Sequence, residues 1–535
     1  MRATRVEPAG DEHVAGPANR SLGLAVLCFV LFLTFLDTTV VSVALASVQQ
    51  DLHAGVSPLQ WVVNGYALVF ASLMLLAGSL GDRFGRKRVM LGGLAVFCAG
   101  SLLAALAPNV DVLIAARAVM GAGAAASEPG TLSMIRHLYP EPDGRARALG
   151  KWAAVSGLAL ALGPVIGGAL VGVSSWRAIF WFNLGAGLLV VLGAALVLPE
   201  SADPVAGAAL DLRGFALGTL ALGALVFGII VGEGAGYGDP VIVALFAVAL
   251  LGAVGFVRVE RRARAPMLEL GYFRRPAFSG ALVVAFTIYF GVFSVFFFTT
   301  LYLQSVIGYS AYKTAEEFLA MAAAMIIASL VAGRAVAAIG PRIPMAGGCL
   351  LAGGGLLWAD AVLQAKSPAF GPLALALALA GVGFGLTVVP VTSIPLSEVR
   401  PEKSGMAASA TNTCRELGAV IGVAVLGALV NGSLTSDLAA RLHSLHIPNV
   451  FQVIVIKAIE TGGVPQHTNA AATYGAIVNR VISAAYGAFR SGIDLALVTS
   501  AVLVLAAGGV AVGTLGHGRD ATPAEKGSRT SPEVG

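Results

Sequence analysis

About fourteen apolar runs follow one another along this 535-residue chain, most of them reaching the ~20 helical residues that cross a hydrocarbon core of ~30 Å. They lie at 21–46, 59–80, 88–107, 111–137, 146–172, 176–197, 213–232, 239–257, 277–306, 314–339, 343–363, 371–393, 404–431 and 492–514. In lipid a lone segment satisfies all its backbone donors and acceptors only as an α-helix. The fold class predicted is therefore an all-α polytopic membrane protein of fourteen spans. Composition agrees, because 57% of residues are hydrophobic and 12% charged, about half the charged fraction of a soluble domain. The 67 glycines suit close approach of helix backbones in a bilayer, although a coding bias would produce the same excess.

The net charge of +5 does not point to nucleic acid, since the basic residues sit in short loops between apolar runs and form no basic face on a soluble module. Their bias sets orientation instead. With the N-terminus inside, cytoplasmic segments hold about 25 of the 34 Lys and Arg. Among these are Arg83, Arg86, Lys87 and Arg88, then Arg145 and Arg147, then the run from Arg258 to Arg275. Both termini are predicted cytoplasmic. The first twenty residues are polar and carry no cleavable signal, so the first span serves as its own insertion signal. Cys28, Cys98, Cys349 and Cys414 all fall inside spans without metal-ligand spacing, and no metal site is expected.

The predicted organisation is a cytoplasmic tail 1–20, a six-helix unit 21–197, an inserted pair with its flanking loops 198–276, a second six-helix unit 277–514, and a tail 515–535. One connection stands out, a long outer loop at 432–490. Within it Val450–Ile459 is too short to span, and Ala470–Phe489 carries Asn479 and Arg480, which reads as an amphipathic approach to the last span. A faint repeat links the halves. The loop from Gly78 through Asp82, Arg83, Gly85 and Arg86 to Arg88 is echoed by Gly333-Arg334 and Gly340-Pro341-Arg342, without the acid. Two related halves are what rocking transporters are built from.

An ionisable residue inside a span costs several kcal/mol unless it is paired or faces water, so it is a functional candidate by default. Asp37 lies about nine residues, ~13 Å, from the outer end of span 1. It reads either as a proton-loading carboxyl or as a hydrogen-bonded packing residue. Arg117 in span 4 lies at a similar depth, so an ion pair with Asp37 is feasible, either coupling protonation to conformation or purely structural. Glu128, eleven residues on, returns to nearly the same helix face ~16 Å deeper. It reads as a cation or proton site, or as an acid reaching the cytoplasmic interface. Arg415 and Glu416 sit near the middle of span 13 and point ~100° apart, so that Glu416 lines a cavity while Arg415 is an internal anchor.

In span 5, Gly157, Gly163, Pro164, Gly167 and Gly168 predict a bent helix pressed against a neighbour. The chain contains no GxxxxGK[ST] loop for ATP. His443 and His446 lack a zincin Glu between them, and scattered Ser and His give no nucleophile signature, so no enzyme activity is expected.

These motifs resemble the major facilitator superfamily, in its fourteen-span drug:proton antiporter branch, over about 21–514. The 78–88 loop resembles the superfamily's signature loop, and by that resemblance Gly78, Asp82, Arg83, Gly85 and Arg86 latch the two bundles on the cytoplasmic side. Leu113, Arg117, Gly121 and Gly123 resemble the span-4 motif tied to proton coupling, with Met120 where Gln is usual. Gly163-Pro164-Val165-Ile166-Gly167-Gly168 resembles the antiporter motif, which favours export over import. Leu36-Asp37-Thr38-Thr39-Val40-Val41 resembles the span-1 motif, which runs on with Ser42 for the usual Asn and Ala46 for the usual Pro. Glu128 and Glu416 stand where relatives more often carry uncharged residues.

The resemblance implies two six-helix bundles with spans 7 and 8 inserted between them. It implies an inner-membrane, monomeric exporter of amphipathic, cationic drugs or antibiotics, driven by the proton motive force without a cofactor. Its partners would be a small molecule, protons and the lipid bilayer. Two alternatives stay open, a dedicated exporter of one antibiotic or metabolite and a receptor that transports nothing.

Overall fold

The computed structural model describes residues 17–515 except 53, 55, 202–210, 264–265, 267, 306, 308, 310, 365–369, 401–402 and 446–475. No strand occurs among the described residues. Among the described residues fourteen long helices carry the fold: α1 (Pro17–Leu52), α2 (Val56–Phe84), α3 (Arg86–Ala105), α4 (Val110–Leu138), α5 (Pro142–Val173), α6 (Arg177–Val197), α7 (Leu212–Ala235), α8 (Pro240–Glu260), α9 (Pro276–Ser305), α10 (Ala311–Ile339), α11 (Arg342–Leu363), α12 (Phe370–Glu398), α13 (Ser404–Ser444) and α14 (Ala476–Thr514). Eleven of them hold a stretch long and apolar enough to cross a membrane; the apolar stretches of α2 and α7 are shorter, Trp61–Met74 and Arg213–Ile229.

The ends of the helices follow local chemistry. Asn109 caps α4 by accepting from the Val112 amide at 2.9 Å, and Asp211 caps α7 by accepting from Gly214 at 2.7 Å. Such side chains satisfy amide groups that have no partner inside the helix. Gly85 (φ 100°) and Gly340 (φ 76°) turn the chain into α3 and α11, a backbone region open to glycine at no steric cost. Both belong to the sequence repeat, at matching positions of its two loops.

Packing repeats with an offset of eight helices. α2 lies on α4 as α10 lies on α12, α3 on α4 as α11 on α12, α1 on α5 as α9 on α13, and α3 on α6 as α11 on α14. At the α3–α4 crossing a Cβ on Gly123 would stand 2.4 Å from the Phe97 amide nitrogen; at the α11–α12 crossing a Cβ on Gly383 would stand 2.2 Å from that of Ala352. Only glycine permits either approach. The two six-helix bundles meet along a seam where α2 faces α13 and α5 faces α10, with α7 packed beside α2 and α13 and α8 packed against α7.

Both ends of the predicted loop 432–490 are helical. α13 continues to Ser444 and α14 starts at Ala476, and Leu434, Leu438 and Leu442 pack against Ala484, Ala485 and Ala488 in a small core of their own. The stripe at 434, 438 and 442 has helical spacing, which the sequence reading passed over because polar residues surround it. The stretch Val450–Ile459 lies outside the described residues.

Candidate functional site

The candidate residues fall into three of the polar groups that stand where helices meet. The first surrounds Asp37 on α1, a side chain with no solvent exposure. Arg117 of α4 donates through Nη1 to its Oδ2, and Asn183 of α6 donates to its Oδ1 at 2.6 Å. Arg117 is itself held, with Nε donating to the Val62 carbonyl at 2.9 Å and the guanidinium carbon 4.4 Å from the centre of the Tyr66 ring. Both carboxylate oxygens thus have charged or amide donors, which offsets the cost of desolvation. The α5 glycines press on this turn of α1. A Cβ on Gly163 would stand 1.9 Å from Thr39 Oγ1, and one on Gly167 would stand 2.8 Å from the Val40 carbonyl. Gly168 faces open space, and the Pro164 side chain lies outside the described residues.

The second group lies on the seam. Arg415 of α13 is buried, donates to the Tyr289 hydroxyl of α9 and to Asn412 Oδ1 at 3.0 Å, and sits among the rings of Tyr289 (4.4 Å), Trp152 (5.1 Å) and Phe35 (5.4 Å). Trp152 and Phe35 belong to the N-terminal bundle, so Arg415 reaches across the seam. Glu128 is 1% exposed and Glu416 6%, so both are core residues. Glu128 acts electrostatically with Arg415 and with Glu416. Although adjacent in sequence and pointing apart, Arg415 and Glu416 therefore both act on one residue of the other bundle. Glu128 Oε2, Arg415 Nε and Asn412 Nδ2 are buried without a hydrogen-bond partner among the described residues. Tyr66 stands within electrostatic reach of Asp37, Arg117, Glu128 and Glu416 alike, which ties the two groups together.

The third group closes the seam at its basic end. A Cβ on Gly78 would collide with Ser409 Oγ (1.8 Å) and approach the Gly405 carbonyl (2.9 Å), so α2 and α13 touch there. Arg86 donates to Ser404 Oγ at 3.1 Å. Arg136 of α4 donates to the Leu396 carbonyl at 2.7 Å and the Val399 carbonyl at 3.4 Å, placing a cation on the C-terminal end of α12, where the helix dipole is negative. Gly85 stands against Glu200, whose Oε1 accepts from the Lys87 amide at 3.1 Å. Arg83 lies over the Phe84 ring at 5.1 Å. The Asp82 side chain lies outside the described residues.

The structure thus brings Asp37 and Arg117 into one group, and Glu128, Arg415 and Glu416 into another. Gly157 stands apart from both, at the α5–α10 contact, where its Cβ would meet Met325 Sδ at 2.9 Å. Sequence reasoning missed Asn183, Tyr66, Tyr289, Trp152 and Arg136. Asn183 carried a signal, as a lone amide in the apolar run 176–197. The aromatic residues carried none among the many rings of the spans.

The sequence profile of the Major Facilitator Superfamily matches residues 27–423. The chain is 34% identical over 451 residues to the multidrug resistance protein Stp of Mycobacterium tuberculosis, covering 84% of this chain and 82% of that protein. It is 30% identical over 535 residues to the tetracenomycin C resistance and export protein of Streptomyces glaucescens, covering 99% and 98%. The crystal structure of the human organic anion transporter superposes with a TM-score of 0.61 at 14% identity, over 93% of this chain and all of that one. With relatives named as drug and antibiotic resistance proteins, the chain belongs to the Major Facilitator Superfamily and is a membrane transporter, not an enzyme.

Proposed function

We propose that this transporter exports amphipathic, cationic drugs or antibiotics from the cytoplasm in exchange for inward-moving protons. It works as a monomer with fourteen spans in the plasma membrane, with both termini and the basic end of the bundles cytoplasmic. The observation that carries the reading is the group on the seam: two buried carboxyls and one buried guanidinium, drawn from both bundles, with Glu128 Oε2 left without a hydrogen-bond partner among the described residues. An ionised carboxylate is costly there unless a cation joins it, and a proton removes the cost. A proton and a cationic substrate therefore compete for one site, which is the requirement of an exchanger. Rocking of the bundles about the seam presents that site to each side in turn.

The Asp37 group sits beside this site, its Arg117 guanidinium lying 4.4 Å from the centre of the Tyr66 ring. Each net charge moved is worth about 2.3 kcal/mol per 100 mV, so two protons entering for one monocation leaving is downhill in charge. A second reading, a dedicated exporter of one compound, is favoured by the end-to-end match to a protein named for resistance to a single antibiotic.

The test is pH-gradient-driven uptake of a cationic dye and of quaternary ammonium compounds into inverted vesicles, for wild type, Asp37→Asn, Glu128→Gln and Glu416→Gln. Uptake by wild type that collapses with the gradient and is lost in Glu128→Gln supports exchange. Normal gradient-driven uptake by all three variants overturns the assignment of the site. A phenotype confined to one compound favours the dedicated exporter.

A further inference from the structure

A groove of about 870 Å³ runs down the outside of the seam where α5 is flanked by α1 and α10. Its walls are apolar, with Leu24, Phe29 and Phe32 from α1, Val155 from α5 and Leu330 from α10, and among the described residues a single cation, Lys151, opens into it. Arg20, at the same end of α1, is already paired with Glu141 at 3.3 Å. Lys151 is exposed and has no ion-pair or hydrogen-bond partner among the described residues. The groove occupies the half of the α1 span nearest Arg20, which by the orientation proposed above is the cytoplasmic leaflet.

An unpaired ammonium bordered by apolar side chains at that depth is stabilised by an anion brought to it or by its stem extending to the headgroup layer. The cationic cargo proposed above is repelled by the same charge. What fits both the apolar walls and the lone cation is an amphiphile with an anionic head and a hydrocarbon tail. We infer that this groove binds an anionic phospholipid of the cytoplasmic leaflet, its phosphate on Lys151 and an acyl chain along α1. Basic pockets between spans on the cytoplasmic side recognise such headgroups. Because α1 and α5 belong to one bundle and Leu330 to the other, the lipid lies across the seam and braces the bundles on that side.

The placement in the cytoplasmic leaflet rests on the proposed orientation, but lipid binding is measured without transport, so export and lipid recognition fail separately. The experiment is native mass spectrometry of the purified full-length protein in detergent with phosphatidylglycerol or phosphatidylcholine of identical chains. Wild type retains phosphatidylglycerol about fivefold better, the equivalent of about 1 kcal/mol for one Lys beside an anionic lipid. Lys151→Gln removes the preference, Lys151→Arg keeps it, and Ala25→Trp, which fills the groove from its exposed wall, lowers retention of both lipids. Unchanged thermal melting of the variants shows that they are folded. Equal retention of the two lipids by wild type, a preference that survives Lys151→Gln, or displacement by inorganic phosphate would each overturn the inference.

Discussion

Asp37 and Glu128 are both carboxyls carried into the middle of apolar helices, and both are almost wholly buried. Their surroundings differ. Asp37 has Arg117 on one oxygen and Asn183 on the other, all from helices of one bundle. Glu128 has an oxygen with no hydrogen-bond partner among the described residues, and its charged neighbours, Arg415 and Glu416, come from the opposite bundle. A clamped acid stabilises the bundle that holds it and resists change. An unsatisfied acid on a seam has a charge balance that depends on what the other bundle brings, so protonation and bundle position are linked there by geometry.

The largest effect that would break this contrast comes from the clamp. Arg117→Leu leaves Asp37 buried with only Asn183, and losing one partner of a buried pair costs about 3–5 kcal/mol. The variant is expected to melt far below wild type in detergent. Adding Asp37→Asn restores much of the loss, because the orphaned charge goes with it, and the double-mutant cycle reads the coupling directly. A loss below about 1 kcal/mol for Arg117→Leu would show that Asp37 is no more tightly held than Glu128.

Tyr289→Phe comes next. It deletes the hydroxyl that accepts from Arg415, and hydrogen bonds to charged groups contribute about 1.5–3 kcal/mol. Both melting and transport are expected to fall, since Arg415 then has Asn412 as its remaining side-chain acceptor. Transport that falls while Tm holds would sharpen the contrast, placing Tyr289 in the moving seam and not in the fixed frame. Glu128→Gln is expected to separate the two properties more cleanly. Stability stays within about 1 kcal/mol of wild type, since an amide replaces a partly unpartnered carboxyl. Gradient-driven export falls at least about tenfold, the equivalent of 1.36 kcal/mol.

Much of this contrast was legible in the sequence, and the illegible part has a physical cause. Asp37, Arg117, Glu128, Arg415 and Glu416 announce themselves because charge within an apolar run is costly, and helical pitch alone sets Arg117 at the depth of Asp37. The paired glycines of the repeat loops are visible as sequence, and Gly85 and Gly340 both adopt positive φ. What pitch cannot supply is which helices of different bundles touch. The meeting of Arg415 with Trp152 and Phe35, and the role of Tyr289, depend on contacts between residues more than a hundred positions apart. The same holds for Asn183, whose amide was visible but whose acceptor was not. The helical ends of 432–490 were missed because a polar setting hid a short apolar stripe.

Arg136 tests the comparison from the outside of the seam, with the smallest expected effect. Its guanidinium joins α4, the helix of Arg117 and Glu128, to the C-terminal carbonyls of α12, so it ties the bundles without touching either acid. Arg136→Gln keeps a donor but removes the charge that suits the end of a helix dipole, a change of about 1 kcal/mol at a partly buried site. If the seam is the moving element, that cost is borne only by the state in which the basic end is closed, and the population with that end open rises about fivefold. The readout is alkylation of a cysteine introduced at Ser409, which lies against Gly78, in a background with the native cysteines replaced. Faster labelling with unchanged melting is the expected outcome. Unchanged labelling with lower Tm would mean that Arg136 supports the fold as the Asp37 clamp does, and that the latch resides in Gly78 and Arg86.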